Sequence, residues 1–293
     1  PSRDGVVLKT RYSSLTRLAF IVGLEGAGHD YILGAFERMR AGRNDLGPLV
    51  ECITAAPYSV FDSMSESPSY YAKARDTARQ DMRKLAQQDA AAVGSGVLAT
   101  LQVTDATVNA DGCSNVGLLS YPNDDGRGPS KVFKYTDLGM LAEVAETEGV
   151  DLRVVYLKRA AKDVIIANTR RRHVQDELGD ARKATRRERY MEYMRVLFTD
   201  ISVMHSMFAE LGPEFVVCHD FEGMGGAEQV PEIAKFAAPN PEVQALLEDS
   251  LTKVAVPPDD ADEEDPLFAD VDEVAVRLQR KLDVLESSIC DKN

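Results

Sequence analysis

Apolar positions along the chain fall into short unbroken runs and longer stretches of helical periodicity. Residues 18–22 (LAFIV) form an unbroken run that stops at Gly23, and apolar positions then recur at Tyr31, Ile32, Leu33, Ala35 and Phe36. This predicts a buried strand over 17–23, a tight glycine loop and a helix over 30–40. Gly42, Gly47, Pro48, Pro57 and Pro68 make 41–68 irregular. The stretch 69–93 is rich in Ala, Arg, Lys and Gln with a thin apolar face, which predicts a surface helix stopped by Gly94 and Gly96. A buried strand is expected at 97–103, a long loop at 104–130 and a short strand at 131–135. Asp137 caps a helix that Gly149 ends. The clearest strand is 152–157, followed by a helix over 162–173, a helical region over 184–211 stopped by Gly212 and Pro213, and a last strand at 215–218. PPDDADEED opens a mobile acidic loop over 257–268, and an amphipathic helix over 270–288 ends the pattern. Strand, helix, strand at this rhythm predicts an α/β fold with a parallel sheet, and the absence of a linker predicts one domain over 1–293.

Charge narrows the partners. The 293-residue chain carries a formal net charge of −14, which argues against a general nucleic-acid binder and against docking on anionic membranes. No apolar run approaches the ~20 residues of a membrane-spanning helix. Cys52, Cys113, Cys218 and Cys290 lack metal-ligand spacing and no N-x-S/T sequon is present; both lean toward a reducing, unglycosylated compartment. No signal peptide is visible, but the chain opens on Pro1 rather than Met, so a cytoplasmic protein and the lumenal part of a longer one both stay open. Residues 151–195 run against the overall balance, with 13 Lys and Arg against 7 Asp and Glu. A basic segment in an acidic chain suggests a locally held anion, although 182–195 reads equally well as a solvated helix face with i,i+4 pairs.

The glycine loop carries the first candidate chemistry. Gly23-x4-Gly28-His29-Asp30 has the spacing of a phosphate loop, G-x4-G-K-S/T, with His for Lys and Asp for Ser or Thr. Backbone amides and a helix N-terminus bind an anion without any particular side chain. The lysine that grips outer phosphates and the hydroxyl that holds magnesium are both replaced, which disfavours an ordinary ATPase or GTPase and points to an anion site that needs no metal. Arg159 is the second candidate. It follows a central strand at its C-terminal end, where open α/β sheets bind ligands.

These segments resemble sulfotransferases. VVYLKRAAKDVIIANTRRR is similar to the family's 3′-phosphate motif, a strand followed by R-D/N-P-x-D-x-x-x-S, with Arg159, Lys162 and Asp163 in matching places. FIVGLEGAGHDY looks like the 5′-phosphosulfate loop, P-K/R-S-G-T-S/T-x-L, with Gly28 on the family glycine and His29 on the following Thr. VFKYTDLGML resembles K-x-P-x-x-x-L, with Lys134 as its lysine, and FVVCHDF is similar to the late strand v-x-Y-E-D-L. The four matches come in family order and span about two-thirds of the chain. The chain departs from the pattern at Ala167, which stands where the family has its phosphate-binding Ser; Asn168 is one helical step, roughly 100°, away. Gly26 occupies the loop's Lys/Arg position, and the Trp-containing C-terminal lid of the cytosolic small-molecule branch is missing.

The resemblance implies a P-loop-NTPase-like central parallel sheet flanked by helices. It implies 3′-phosphoadenosine 5′-phosphosulfate (PAPS) as donor, 3′-phosphoadenosine 5′-phosphate (PAP) as product, no metal, and a hydroxyl or amine on a small molecule or glycan as acceptor. The donor would lie on the cradle of Glu25, Gly26, Ala27, Gly28, His29 and Asp30, with Arg159, Ala167, Asn168, Arg171 and Arg172 around the 3′-phosphate. His29 or Lys134 would stabilise the leaving oxygen, and Glu25, His29 or a residue of 104–130 would be the base. The rivals are a nucleotide- or partner-binding relative without turnover, and a P-loop kinase or NTPase. His173, His205 and His219 read as structural, Cys218 as a small core residue, and Tyr70 with Tyr71 as the staple of a helix start in preference to the lining of an acceptor site. The sequence does not set the oligomeric state.

Overall fold

The structure, a computed structural model, describes residues 17–24, 27–40, 59–61, 68–89, 98–101, 134–170, 186–223, 228–238, 241–253 and 267–291. The 18–22 run forms β1 (Arg17–Gly23), buried from Leu18 onward, and the loop after it leads into α1 (His29–Arg40). Next come β2 (Ser59–Phe61), α2 (Pro68–Asp89), β3 (Leu98–Leu101), β4 (Lys134–Thr136) and α3 (Leu138–Glu148). The second half holds β5 (Asp151–Lys158), α4 (Ala161–Arg170), α5 (Arg186–Met207) and β6 (Val216–Asp220). The helices α6 (Gln229–Ala237), α7 (Pro241–Thr252) and α8 (Leu267–Cys290) complete the order.

Four strands form a parallel sheet in the order β3-β1-β5-β6. A strand without polar alternation must be covered on both faces, and β1 is. Leu18, Phe20 and Val22 enter one apolar cluster, Ala19 and Ile21 the other. The neighbouring strand β5 divides in register, with Leu152, Val154 and Tyr156 on the first face and Val155 and Leu157 on the second. Residues from α2, α3, α4, α5 and α8 cover the first face, and residues from α1, α6 and α7 cover the second. The result is a mixed α/β architecture with a small parallel sheet between helical layers. No helix among the described residues is long and apolar enough to cross a membrane.

Local rules set the boundaries. The Asp137 side chain accepts the Met140 N–H at 2.8 Å to cap α3. Gly149 closes that helix at φ 77°, a left-handed value that disfavours a side chain, and donates to Ala145 and Glu146. The predicted surface helix is α2, which buries Ala78 and Met82. It is tied to α3 by Arg83 to Glu148 at 2.7 Å and by an ion pair between Arg75 and Glu143. At the N-terminal edge of the sheet, Arg17 pairs with its register partner Asp151 at 2.7 Å. The same guanidinium donates to the Phe236 carbonyl at 3.1 Å and to the Ala238 carbonyl, so it closes the end of α6. Burial lowers the Arg17 pKa, and the Asp151 carboxylate opposes that shift.

The structure adds to the expected pattern and changes part of it. The short strand containing Lys134 pairs antiparallel with β2 in a two-stranded ribbon separate from the parallel sheet. β2 lies in a stretch read as irregular. Gln229–Ala237 and Pro241–Thr252 form two helices that were not expected, although Val230, Ile233, Ala234 and Ala237 keep helical spacing and are buried. The expected long loop at 104–130 lies outside the described residues, as does nearly all of the acidic stretch before α8.

Candidate functional site

Parallel strands bring their C-terminal ends to one edge. From β1 the chain winds outward to β3, whereas from β5 it winds the other way to β6. The crevice outside β1 and β5 is therefore the switch point of the sheet, the place where loops and helix N-termini face a common space. The two segments singled out in the sequence, the glycine loop and the turn carrying Arg159, flank this point.

Packing explains the glycine loop. A Cβ on Gly23 would lie 2.9 Å from both the Cβ and the carbonyl oxygen of Leu157, so only glycine lets β5 approach this closely. Gly28 has φ 102° and turns the chain into α1. Ala27 is buried in the second apolar cluster and its N–H donates to the Leu24 carbonyl at 2.9 Å. That amide is already engaged, so among the described residues the cradle reduces to the Gly28 amide and the N-terminus of α1, which begins at His29.

At the end of β5, Lys158 forms a 3.0 Å ion pair with its register partner Asp220 on β6. Burial works against the Lys158 charge, but the hydrogen bond to Asp220 and the surrounding carboxylates outweigh it and raise its pKa. The Arg159 guanidinium lies 4.0 Å over the ring centroid of Phe221, the residue after β6. Phe221 is buried, and its ring meets Tyr31 in the first turn of α1 edge-on at 5.7 Å. One aromatic side chain thus joins the two candidate segments, and a cation stacked on an aromatic face is held in direction as well as position.

Two acid–base groups stand beside this rim. His219 is 1 % exposed, and neither ring nitrogen has a hydrogen-bond partner among the described residues. Gln229 lies beside it, but its Oε1 accepts the Asp220 N–H at 3.1 Å. Burial lowers the His219 pKa, so its ring is neutral near pH 7; Gln229 and Asp220 oppose the shift without reversing it. On α8, Glu286 has one buried oxygen without a hydrogen-bond partner among the described residues. Burial raises its pKa to about 7; Lys158 pulls it back, while Asp283, Asp220 and Glu222 push it up. Burial, followed by the field of Glu286, drives the Tyr156 hydroxyl well above its ordinary pKa.

Helix α8 also reaches the β5–α4 turn. The Ala161 N–H, the first amide of α4, donates to Gln279 Oε1 at 2.7 Å, and Lys162 pairs with Asp272 at 3.1 Å. The last residue of α8, Cys290, is disulfide-bonded to Cys218 on β6, with Cα atoms 5.8 Å apart. Cys218, expected as a simple core residue, is therefore a cross-link.

The structure brings Ala27, Gly28, the backbone of His29 and Asp30, and Arg159 to one edge of the sheet. The strand of Lys134 belongs to the separate two-stranded ribbon. Ala167 and Asn168 lie in the second half of α4. Glu25, Gly26, Arg171, Arg172 and His173 fall outside the described residues. Phe221, Glu286 and Gln279 were not singled out from the sequence. Phe221 sits in the FVVCHDF segment, where its signal was a large aromatic directly after a strand; the other two were hidden on the polar side of an amphipathic helix. No protein-family model, no curated protein and no solved structure matches this chain.

Proposed function

We propose that this chain is a sulfotransferase with a P-loop-like fold that takes a sulfuryl group from PAPS and passes it to a hydroxyl or amine on a small-molecule or glycan acceptor. The observation that carries the reading is the juxtaposition at the switch point: the glycine loop ends β1, Arg159 ends the adjacent β5, and Phe221 packs between Arg159 and α1. Such a pair suits a ligand with two separated anionic groups. The 5′-phosphosulfate lies on the amides at the start of α1, and the 3′-phosphate lies on the Arg159 fork.

In the proposed reaction the acceptor oxygen or nitrogen attacks sulfur in line, the bond from sulfur to the bridging phosphate oxygen breaks, and PAP departs. The acceptor proton passes to a base. There is little covalent work for the protein, so positioning and charge stabilisation dominate, as in phosphoryl transfer. His29, at the head of α1, takes the leaving-oxygen role, and Glu25 or His29 takes the base role. Lys134, on the strand of the two-stranded ribbon, is the alternative for the first of these.

Calorimetric titration with PAP and with AMP tests the reading; tighter binding of PAP is expected, and equal affinities would remove the 3′-phosphate site. A second reading, nucleotide binding without turnover, draws on Ala167 in place of Ser and on the engaged Ala27 amide. It predicts PAP binding with no transfer to any of a broad panel of hydroxyl and amine acceptors. Magnesium-dependent ATP turnover would overturn both in favour of a P-loop kinase or NTPase.

A further inference from the structure

Between the C-terminal edge of the sheet and the last turns of α8 lies a set of groups that the proposed transfer does not use. Tyr156 stands opposite Cys218 in the β5–β6 register, and Lys158 opposite Asp220. Tyr156 is buried in the first apolar cluster, Cys218 packs against that cluster, and strand periodicity puts Lys158 and Asp220 on the same face. Helix α8 covers this face and is bonded to it through Cys290 and Cys218.

Glu286 precedes Cys290 by one turn, at i and i+4, so the two side chains are neighbours on α8. One Glu286 oxygen is buried with no hydrogen-bond partner among the described residues. Its charge acts on the Tyr156 hydroxyl and the Lys158 ammonium, which places the carboxyl over the strand pair that carries Cys218. A buried carboxyl with an unmet oxygen costs stability and calls for another role. Here it stands beside a disulfide, and both cysteines of that disulfide are only partly buried. Burial keeps the carboxyl protonated up to about pH 7, with Asp283, Asp220 and Glu222 in support and Lys158 in opposition. An acid of that strength gives up its proton at neutral pH, and a departing thiolate takes one.

We propose that the Cys218–Cys290 bridge is a reversible exchange site for a dithiol reductant, with the Glu286 carboxyl as proton donor to the departing sulfur. Cys290, at the end of the helix, takes the attack. A thiolate of the dithiol bonds to Cys290 Sγ, the Sγ–Sγ bond breaks, and Cys218 leaves with the electron pair and takes the Glu286 proton. The second thiolate of the dithiol then displaces Cys290 from the mixed disulfide. The dithiol becomes a disulfide, having lost two electrons, and its two protons return through water to Cys290 and Glu286. Leu278, Leu282 and Leu285 keep α8 on the core, so the bridge opens and closes as a tether on a folded chain.

The test is the rate at which dithiothreitol reduces the native full chain, at several concentrations and from pH 6 to pH 8. Differential alkylation and mass spectrometry of the peptides holding Cys218 and Cys290 follow the reaction. The same series is run on Glu286→Gln, with its fold verified by a thermal melt. Each rate is divided by the concentration of dithiothreitol thiolate. We expect this constant to fall about 10-fold from pH 6 to pH 8 in the parent, as Glu286 loses its proton, and to stay level in Glu286→Gln. A level parent profile overturns the inference, and this arm carries the test if the variant does not fold. A fall that persists in folded Glu286→Gln assigns the proton to another group and also overturns it. So does a rate independent of dithiothreitol concentration, which would mean that only the unfolded chain reacts. Neither PAP binding nor sulfuryl transfer enters these outcomes, so the sulfotransferase reading stands or falls separately.

Discussion

The guanidinium of Arg159 stacks on the ring of Phe221, 4.0 Å from its centroid. The stack holds the cation beside the end of β6, so on the proposed reading Arg159→Ala is expected to weaken PAP. A lost hydrogen bond to a charged group costs ~1.5–3 kcal/mol, or about 10- to 150-fold in affinity. AMP affinity should barely change. Arg159→Lys should recover only part, because an ammonium lacks the planar fork. Equal loss for PAP and AMP in a stable variant would assign Arg159 to the fold instead.

Phe221 serves both packing and position, and two substitutions separate these. Phe221→Ala leaves a cavity between α1 and β6 and should cost about 3–5 kcal/mol in urea denaturation. Phe221→Leu keeps most of the volume and should cost under ~1.5 kcal/mol. The leucine variant still removes the face under Arg159, so PAP binding should fall while AMP binding holds. Unaltered PAP binding in that variant would argue that Arg159 orients without the ring.

Helix α3 is set by its two ends. Asp137→Ala removes the cap on Met140 N–H and should cost about 1 kcal/mol. Gly149→Ala forces a side chain into a left-handed residue and should cost about 1–2 kcal/mol. The sites do not share partners, so the double variant should show the sum in a denaturant titration.

Glu286 and His219 give opposite pH dependences. The Glu286 pKa is raised from 4.5 to about 7, so the native state holds the proton longer than the unfolded chain. The stability this proton linkage contributes is complete below about pH 4.5 and is lost as pH rises through about 7. His219 has a lowered pKa, so its contribution is present above 6.5 and is lost as pH falls through its folded value. Glu286→Gln removes the carboxylate facing Lys158, Asp220, Glu222 and Asp283. After discounting for partial solvent screening, the gain at pH 8 is of order 1 kcal/mol, or ~2–4 °C in melting temperature. At pH 4.5 the variant should melt with the parent. A lower melting temperature at pH 8 would mean that the Glu286–Lys158 attraction exceeds the burial cost.

The disulfide between Cys218 and Cys290 closes a loop across a separation of 72 residues. Chain-entropy arguments put its contribution near ~4 kcal/mol. Cys290→Ser or a thiol reductant should lower the denaturation midpoint accordingly. A reduced protein as stable as the oxidised one would show that the packing of α8 suffices.

The strands of the parallel sheet and their order along the chain were legible because burial on both faces leaves an unbroken apolar run, as in 18–22 and 154–157; the three-residue β2 was not. Asp137 and Gly149 were legible because caps act within a few residues. Long-range partners were not. Nothing local marks Phe221 as the neighbour of Arg159, since they meet only when β5 pairs with β6. The strand at 134 is the converse case: three residues carry too little pattern to declare which sheet they join. Gln279 looked like one polar residue among many on α8, and its role depends on the helix lying against the start of α4.

The pairing of Arg17 with Asp151 spans 134 residues of chain. During synthesis at ~5–20 residues per second, β1 leaves the ribosome roughly 7–27 s before its longest-paired neighbour does. Through that interval an apolar, fully buried strand has no completed sheet to enter. The nascent chain must therefore carry its most adhesive segment exposed for many seconds, and its yield in a cell should depend on chaperone capacity and translation speed more than on the stability of the finished fold.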